Sequence, residues 1–332
     1  MSGGRIERQV AENREGRRRL DGRFIDLPET ANRNLSFARN VIEVEVSLEI
    51  YTRSLATGLY SGHPSEAHGS GRGEAGDLRG EWVLETDETV SALFVRQGRN
   101  AVRDALAGET GALAEAAVGT DETGASVGDS ALGNETGRTS AYGIKDESTV
   151  TRGRSHFLFA EDGLAAEGAN EFALFDTEGR ILNRLTTTTV NVGESEEIRV
   201  DISMEVTGDG TGNSVVTEDG REAIADSIRS RGVVIGLNEL AFGQGETPPE
   251  ETDTGLDDEV YRRTVGRERD NERITVDTNT PSAQPDAQPV DLPEVGVFDN
   301  ADPPRLVWRV VMDAMEKTED FGFGTSVSFR IR

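Results

Sequence analysis

Apolar and polar residues alternate strictly from Val41 to Tyr51: Ile42, Val44, Val46, Leu48 and Ile50 share one parity, and Glu43, Glu45, Ser47 and Glu49 the other. Period two with β-branched residues predicts a strand with one buried and one wetted face. The pattern returns at Ile198, Val200, Ile202, Met204 and Val206, and again at Val327, Phe329 and Ile331. Shorter apolar runs at Phe157 to Phe159 and at NEFALFD (Asn170 to Asp176) predict further strands, and Glu81 to Val95 offers one or two more, with Trp82 expected in the core. NAVRDALAG, from Asn100, reads instead as a short amphipathic helix with Val102, Ala105 and Leu106 inward. Ser61 to Gly80 is rich in Gly, Ser and charge and predicts a mobile loop, and the Pro-rich stretch from Thr278 to Pro293 an extended surface loop. Many short strands separated by turn residues predict a mainly β chain of antiparallel sandwich type with short helices.

The same residues also occur twice. Gly119 and Gly243, Asp129 and Asp253, Leu132 and Leu256, Glu135 and Glu259, and Arg138 and Arg262 are all 124 apart. Flanking blocks follow at drifting offsets: GRNAVRDAL with GREAIADSI at 122, NEFALFD with PEVGVFD at 123, and the strand from Arg199 with that from Gly324 at 125. Ordered blocks with small changes of offset are what loops of unequal length in one repeated fold produce, and copies of about 110 residues have the size of a domain. The expected organisation is an arginine-rich N-terminal arm at 1–40, a strand-bearing attachment region at 41–95 with its mobile loop at 61–80, and two homologous tandem β-sandwich domains at 96–207 and 208–332.

Charge changes the picture next. The 332 residues carry Asp+Glu 62 against Lys+Arg 35, net −27, and Lys145 and Lys317 are the only lysines. Acid excess with arginine in place of lysine suits a salt-saturated cytoplasm, where a Debye length of about 3 Å at 1 M salt screens the self-repulsion. The arm is the exception, with nine arginines against six acids. Arg17, Arg18 and Arg19 mark it as a docking arm for the acidic surface of a neighbouring subunit. The six interspersed acids argue against nucleic acid. There is no cysteine, so disulfides and thiolate metal sites are excluded, and no apolar run approaches the roughly 20 residues that span a bilayer. The N-terminus has no apolar segment of the kind a secretory signal needs.

Candidate chemistry is sparse. Of the three histidines, His63 and His68 fall in the mobile loop, and His156 reads as a sheet-edge side chain rather than a base. The loops TGDGTGNS (from Thr207) and DTGLDDE (from Asp253) offer oxygen ligands for Ca²⁺ or Na⁺ but lack the spacing of a calcium loop, so no cofactor is expected. The phosphate-binding, dinucleotide-binding and nucleophile-elbow motifs are absent. The repeated Asp129/Asp253, Glu135/Glu259 and Arg138/Arg262 are expected to cap a turn and to pair Glu with Arg at i,i+3 on one helical face, a structural task.

The opening GQGETPPEETDTGLDDEVYRR of the second copy, with NEFALFD and GRILNRL of the first, resembles a β-rich module of structural proteins in tailed bacterial and archaeal viruses, found in baseplate, tail-tip and tail-fibre components. The resemblance covers roughly residues 95 to 332. It implies a non-enzymatic virion protein, assembled in a high-salt archaeal host as a homo-oligomeric ring or trimer. Its partners would be other copies of itself, neighbouring virion proteins and a host-surface glycan or protein, with no membrane insertion. The alternatives are a capsid decoration or turret protein of the same kind of virus, and a carbohydrate-binding surface protein.

Overall fold

The computed structural model describes residues 17–20, 23–26, 33–54, 82–86 and 93–332, the last span with gaps at 110, 159–167, 192–195, 210–212, 230–234, 282, 286–288 and 320–321. The chain is mainly β, with two short helices among the described residues. It divides into two compact units, one of residues 41–208, 220–236 and 331–332 and the other of 1–40, 209–219 and 237–330. Helix Glu218–Arg229 therefore belongs for most of its length with the strands that precede it. None of the described helices is long and apolar enough to cross a membrane.

In the first of these units the long strand β3 (Arg33–Ser54), which belongs to it from Val41 on, carries β4 (Val83–Thr86) at Ile50 to Thr52. The sheet then runs β3, β11 (Glu196–Asp209), β8 (Val150–Leu158), β7 (Glu135–Lys145), β6 (Leu113–Gly119), β9 (Ala169–Asp176), β10 (Ile181–Val190) and β5 (Leu93–Phe94). Strand β7 turns a corner. Its first half, to Ser140, pairs with β6, and its second half, from Ala141, pairs with β8, so one backbone serves two packed sheets. The alternating residues Ile42 to Ile50 and Ile198 to Val206 are buried on their predicted face.

Helix α1 (Arg96–Leu106) packs on β10 and buries Ala101, Val102, Ala105 and Leu106. Helix α2 (Glu218–Arg229) buries Ala223, Ile224 and Ile228, and the carbonyl of Ala225 accepts a 2.6 Å hydrogen bond from Thr151 Oγ1 on β8. Lys145 at the end of β7 pairs with Glu222 of this helix.

The other unit holds a five-stranded sheet ordered β12 (Ser214–Val216), β18 (Leu306–Lys317), β17 (Val290–Phe298), β13 (Glu239–Gly243) and β14 (Glu259–Thr264). Beside it runs the series β15 (Gly266–Asp270), β16 (Arg273–Thr280) and β19 (Phe323–Ile331). The order of pairing in the first unit is repeated: β13 takes the part of β6, β17 of β9, β18 of β10 and β12 of β5. Strands β14 and β15 together take the part of β7, interrupted at Val265, whose N–H donates to Asn238 O at 2.9 Å. The core of this unit centres on Phe242, Trp308 and Phe329, with edge-to-face contacts of Phe242 on Phe323 at 5.3 Å and of Trp308 on Phe329 at 6.1 Å.

Three expectations need correction. Trp82 is not in the core; it lies half-buried on the outer face, and the following Val83 and Leu84 are 57% and 41% exposed. His156 is not on an edge strand: β8 pairs with β11 along its length, His156 opposite Arg199, and with β7 as far as Ser155, the residue before it. The Pro-rich stretch is partly strand, with β16 running to Thr280 and β17 starting at Val290. Arg17–Leu20 and Arg23–Asp26 pair as an antiparallel hairpin, β1 with β2, while the loop 61–80 and its histidines lie outside the described residues.

Gly98 lies where helix α1 meets β10, and a Cβ there would fall on the carbonyl of Leu182. Helix propensity alone favours Gly→Ala by about 1 kcal/mol. Gly98→Ala is expected to do the reverse and to lower stability by about 1–3 kcal/mol through overpacking, read as a lower urea midpoint at unchanged slope.

Candidate functional site

The repeated polar residues converge on one buried guanidinium in each unit. In the first, Arg184 of β10 is 5% exposed and donates Nε to Glu171 Oε1 at 2.6 Å, Nη1 to Asp129 Oδ2 at 2.8 Å, and Nη2 to Asp121 Oδ2 at 3.2 Å and Thr123 O at 3.1 Å. In the second, Arg309 of β18 is 1% exposed and donates Nε to Glu294 Oε1 at 2.6 Å, Nη1 to Asp253 Oδ2 at 2.5 Å, and Nη2 to Asp257 Oδ2 at 2.8 Å and Thr247 O at 3.2 Å. Only arginine offers this planar fork of donors. Burial alone would lower the pKa of each guanidinium, but the hydrogen bonds it donates to Asp129 and Glu171, or to Asp253 and Glu294, outweigh it and hold it above its ordinary value.

The glutamates of these clasps also fix the loop. Glu171 accepts from Gly133 N at 2.7 Å and Asn134 N at 3.3 Å, and Glu294 from Asp257 N at 3.0 Å and Gly245 N at 3.3 Å. The same carboxylates explain the repeated Gly119 and Gly243: a Cβ at either would collide with Glu171 Oε2 or Glu294 Oε2. Asp129 and Asp253 have a second task. Each accepts from the backbone N–H three residues earlier, Ser126 at 2.7 Å and Glu250 at 2.8 Å, and so closes a turn rather than starting a helix. Backbone hydrogen bonding to Thr123 holds the Asp121 carboxyl below its usual value.

A second repeated arrangement lies beside the first. Arg138 clasps Glu135 through Nε and Nη2 at 2.8 and 2.7 Å, reaches Glu115 at 3.1 Å, and stacks 3.8 Å from the Phe175 ring. Arg262 does the same with Glu259 at 2.8 and 2.6 Å, Glu239 at 3.1 Å and Phe298 at 3.8 Å. These pairs sit on strands, not on the helical face expected for i,i+3 spacing. Residues three apart on a regular strand face opposite ways, but a bulge restores them to one side: Gly119 is opposite Glu135 while Val118 is opposite Gly137, and Gly243 is opposite Glu259 while Phe242 is opposite Tyr261. Glu135 and Glu259 thus hold Arg138 and Arg262 over a core aromatic, and the guanidinium pKa is raised chiefly by that bidentate bond. Leu132 and Leu256 cap the same aromatic clusters from the loop, Leu132 with Phe175 and Ile181, Leu256 with Phe298 and Leu306.

The ten signature residues therefore come together, in two equivalent sets. What sequence reasoning missed is the partner set Arg184, Glu171, Asp121 and Arg309, Glu294, Asp257. Glu171/Glu294 and Arg184/Arg309 recur at offsets of 123 and 125, those of the flanking blocks, and that was the available signal. Asp253 and Asp257, in the acidic loop considered for cation binding, are engaged by Arg309. Among the described residues no group of three or more His, Asp or Glu is arranged to hold a metal ion. The side chains of Arg17, Arg18 and Arg19 lie outside the described residues.

The third carboxylate of each clasp comes from opposite sides of the loop. At an offset of 124, Asp121 corresponds to Gly245 and Gly133 to Asp257. In one unit a Cβ at Gly133 would meet the Asp121 carboxyl, and in the other a Cβ at Gly245 would meet Asp257. One space holds one carboxylate, delivered from either chain segment. Gly133→Asp alone and Asp121→Gly alone should each lower the urea midpoint, and the double variant should recover most of the loss, a coupling that a double-mutant cycle measures. Arg309→Met should cost about 3 kcal/mol, at the low end for a broken buried pair because Asp253 and Asp257 keep some water, and Glu294→Met with Arg309→Met should cost distinctly less. Comparison with family models, with curated proteins and with solved structures finds no match to this chain.

Proposed function

We propose that this chain is a structural component of a virion, belonging at the tail end of a tailed virus of halophilic archaea as a baseplate, tail-tip or fibre-associated protein. Two tandem copies of one sandwich domain, at 96–207 and 208–332, stand behind an arginine-rich arm at 1–40 and an attachment region at 41–95. The protein works by holding neighbours in place, as a homo-oligomeric ring or trimer, and performs no chemistry.

The observation that carries this reading is the doubled clasp. The polar residues that recur between the halves are engaged with one another: Arg184 and Arg309 each draw a loop onto a sheet through three carboxylates, and Arg138 and Arg262 each fasten a bulge over an aromatic ring. Such residues serve shape, the commodity of an assembly protein. The net charge of −27, carried with 35 basic residues of which two are lysine, supports the high-salt setting.

The purified full chain is expected to form a closed oligomer at salt above about 1 M, where repulsion between copies is screened, and to loosen in dilute buffer. Light scattering coupled to size exclusion reads the mass; a monomer at every salt concentration would count against assembly. Antibody labelling of particles then separates the tail end from a capsid decoration.

A further inference from the structure

On the outer face formed by β3, β11 and β8, Arg199 Cζ lies 3.9 Å from the centre of the Tyr51 ring and 5.1 Å from that of Trp82. Trp82 meets His156 edge-on at 5.6 Å. His156 Nδ1 is 3.1 Å from Glu197 Oε1, and its Nε2 is 3.5 Å from the hydroxyl of Tyr142, which is 38% exposed. Beneath the strip Asp201, with no exposed side-chain surface, receives Arg154 through two 2.7 Å hydrogen bonds and has Arg199 at 3.4 Å and Arg152 at 3.8 Å.

Two features set this face apart from the rest of the molecule. The chain has only two Trp and four Tyr in 332 residues, yet Tyr51, Trp82 and Tyr142 meet on this one outward surface. Trp308, the other tryptophan, is 1% exposed in a core. The strip also gathers three arginines in a chain of net charge −27 and anchors them on a buried aspartate. A folding core needs neither arrangement. Half-exposed rings beside fixed guanidinium, imidazole and carboxylate groups match a ligand with apolar C–H faces and a rim of hydroxyls. Because Arg199 is held between two rings and Arg154 by two hydrogen bonds, little side-chain entropy is lost on binding.

We infer that this strip is a binding site for an oligosaccharide, with a sugar ring stacked on Trp82 and Tyr142 and its hydroxyls bonded to His156 and Arg199, while the buried Glu197 orients His156. The inference rests on the reading of the chain as an attachment component and names the surface that would meet the host.

The test uses the full chain at about 1 M salt on an array of defined neutral and uronic-acid-containing oligosaccharides, followed by titration of the best ligand against intrinsic tryptophan fluorescence. Saturable binding is expected, weakened at least tenfold by Tyr142→Ala and abolished by Trp82→Ala. Tyr142 is exposed, so its variant keeps the test meaningful if Trp82→Ala releases β4. No glycan retained, or binding unchanged by Tyr142→Ala, overturns the proposal. A chain that assembles in high salt but retains no glycan removes this site and leaves the assembly reading standing. A monomer that binds glycan through Tyr142 removes the assembly reading alone.

Discussion

A buried guanidinium held by three carboxylates is the interaction on which each half of this structure depends. The loops between β6 and β7 and between β13 and β14 are polar and glycine-rich, and beyond Leu132 and Leu256 their composition offers little to pack them onto a sheet. Arg184 and Arg309 do so from inside the sheet, reaching outward to aspartates at two points of the loop and sideways to a glutamate on the adjacent strand. An arginine in this setting is costly unless every neighbour is in register, because a buried charge without its partners loses several kcal/mol. The clasp therefore acts less as a source of stability than as a condition: only one loop conformation satisfies it.

That condition spreads to residues that carry no charge. Gly119 and Gly243 are fixed by the glutamate that occupies the space of their missing side chains, and Gly133 and Gly245 by aspartates arriving from the other side of the loop. The bulges at Glu135 and Glu259 turn a second arginine onto Phe175 and Phe298, on the rings that Leu132 and Leu256 cover from above. Polar and apolar parts of the signature are thus one unit, with the aromatic ring shared between the clasped arginine and the leucine plug.

How far the sequence could be read follows from which signals are local. Alternation is local, so Ile42 to Ile50 and Ile198 to Val206 were legible as strands with the correct buried face. Recurrence at one offset made Asp129, Leu132, Glu135 and Arg138 legible as a set together with their counterparts. Glu171 and Arg184 were not, because each stands inside an apolar strand where periodicity treats a charge as noise, and because loop-length changes shifted them off the common offset. Glu135 with Arg138 was read as helical since spacing alone cannot distinguish a helix turn from a bulged strand; cross-strand register can. Trp82 was placed inside on hydrophobicity, whereas it lies half-buried on the outer face beside Arg199 and His156.

The corner strand gives the two halves different mechanics. In β7 a single unbroken run from Glu135 to Lys145 crosses between sheets, so a shearing load applied to one sheet is passed to the other along covalent bonds. In the second half the backbone is equally continuous, but the strand breaks at Val265, which leaves both ladders and gives its N–H to Asn238 O instead. The second half thus has a point at Val265 about which its corner can bend without breaking ladder hydrogen bonds, whereas bending β7 at its corner strains a continuous ladder.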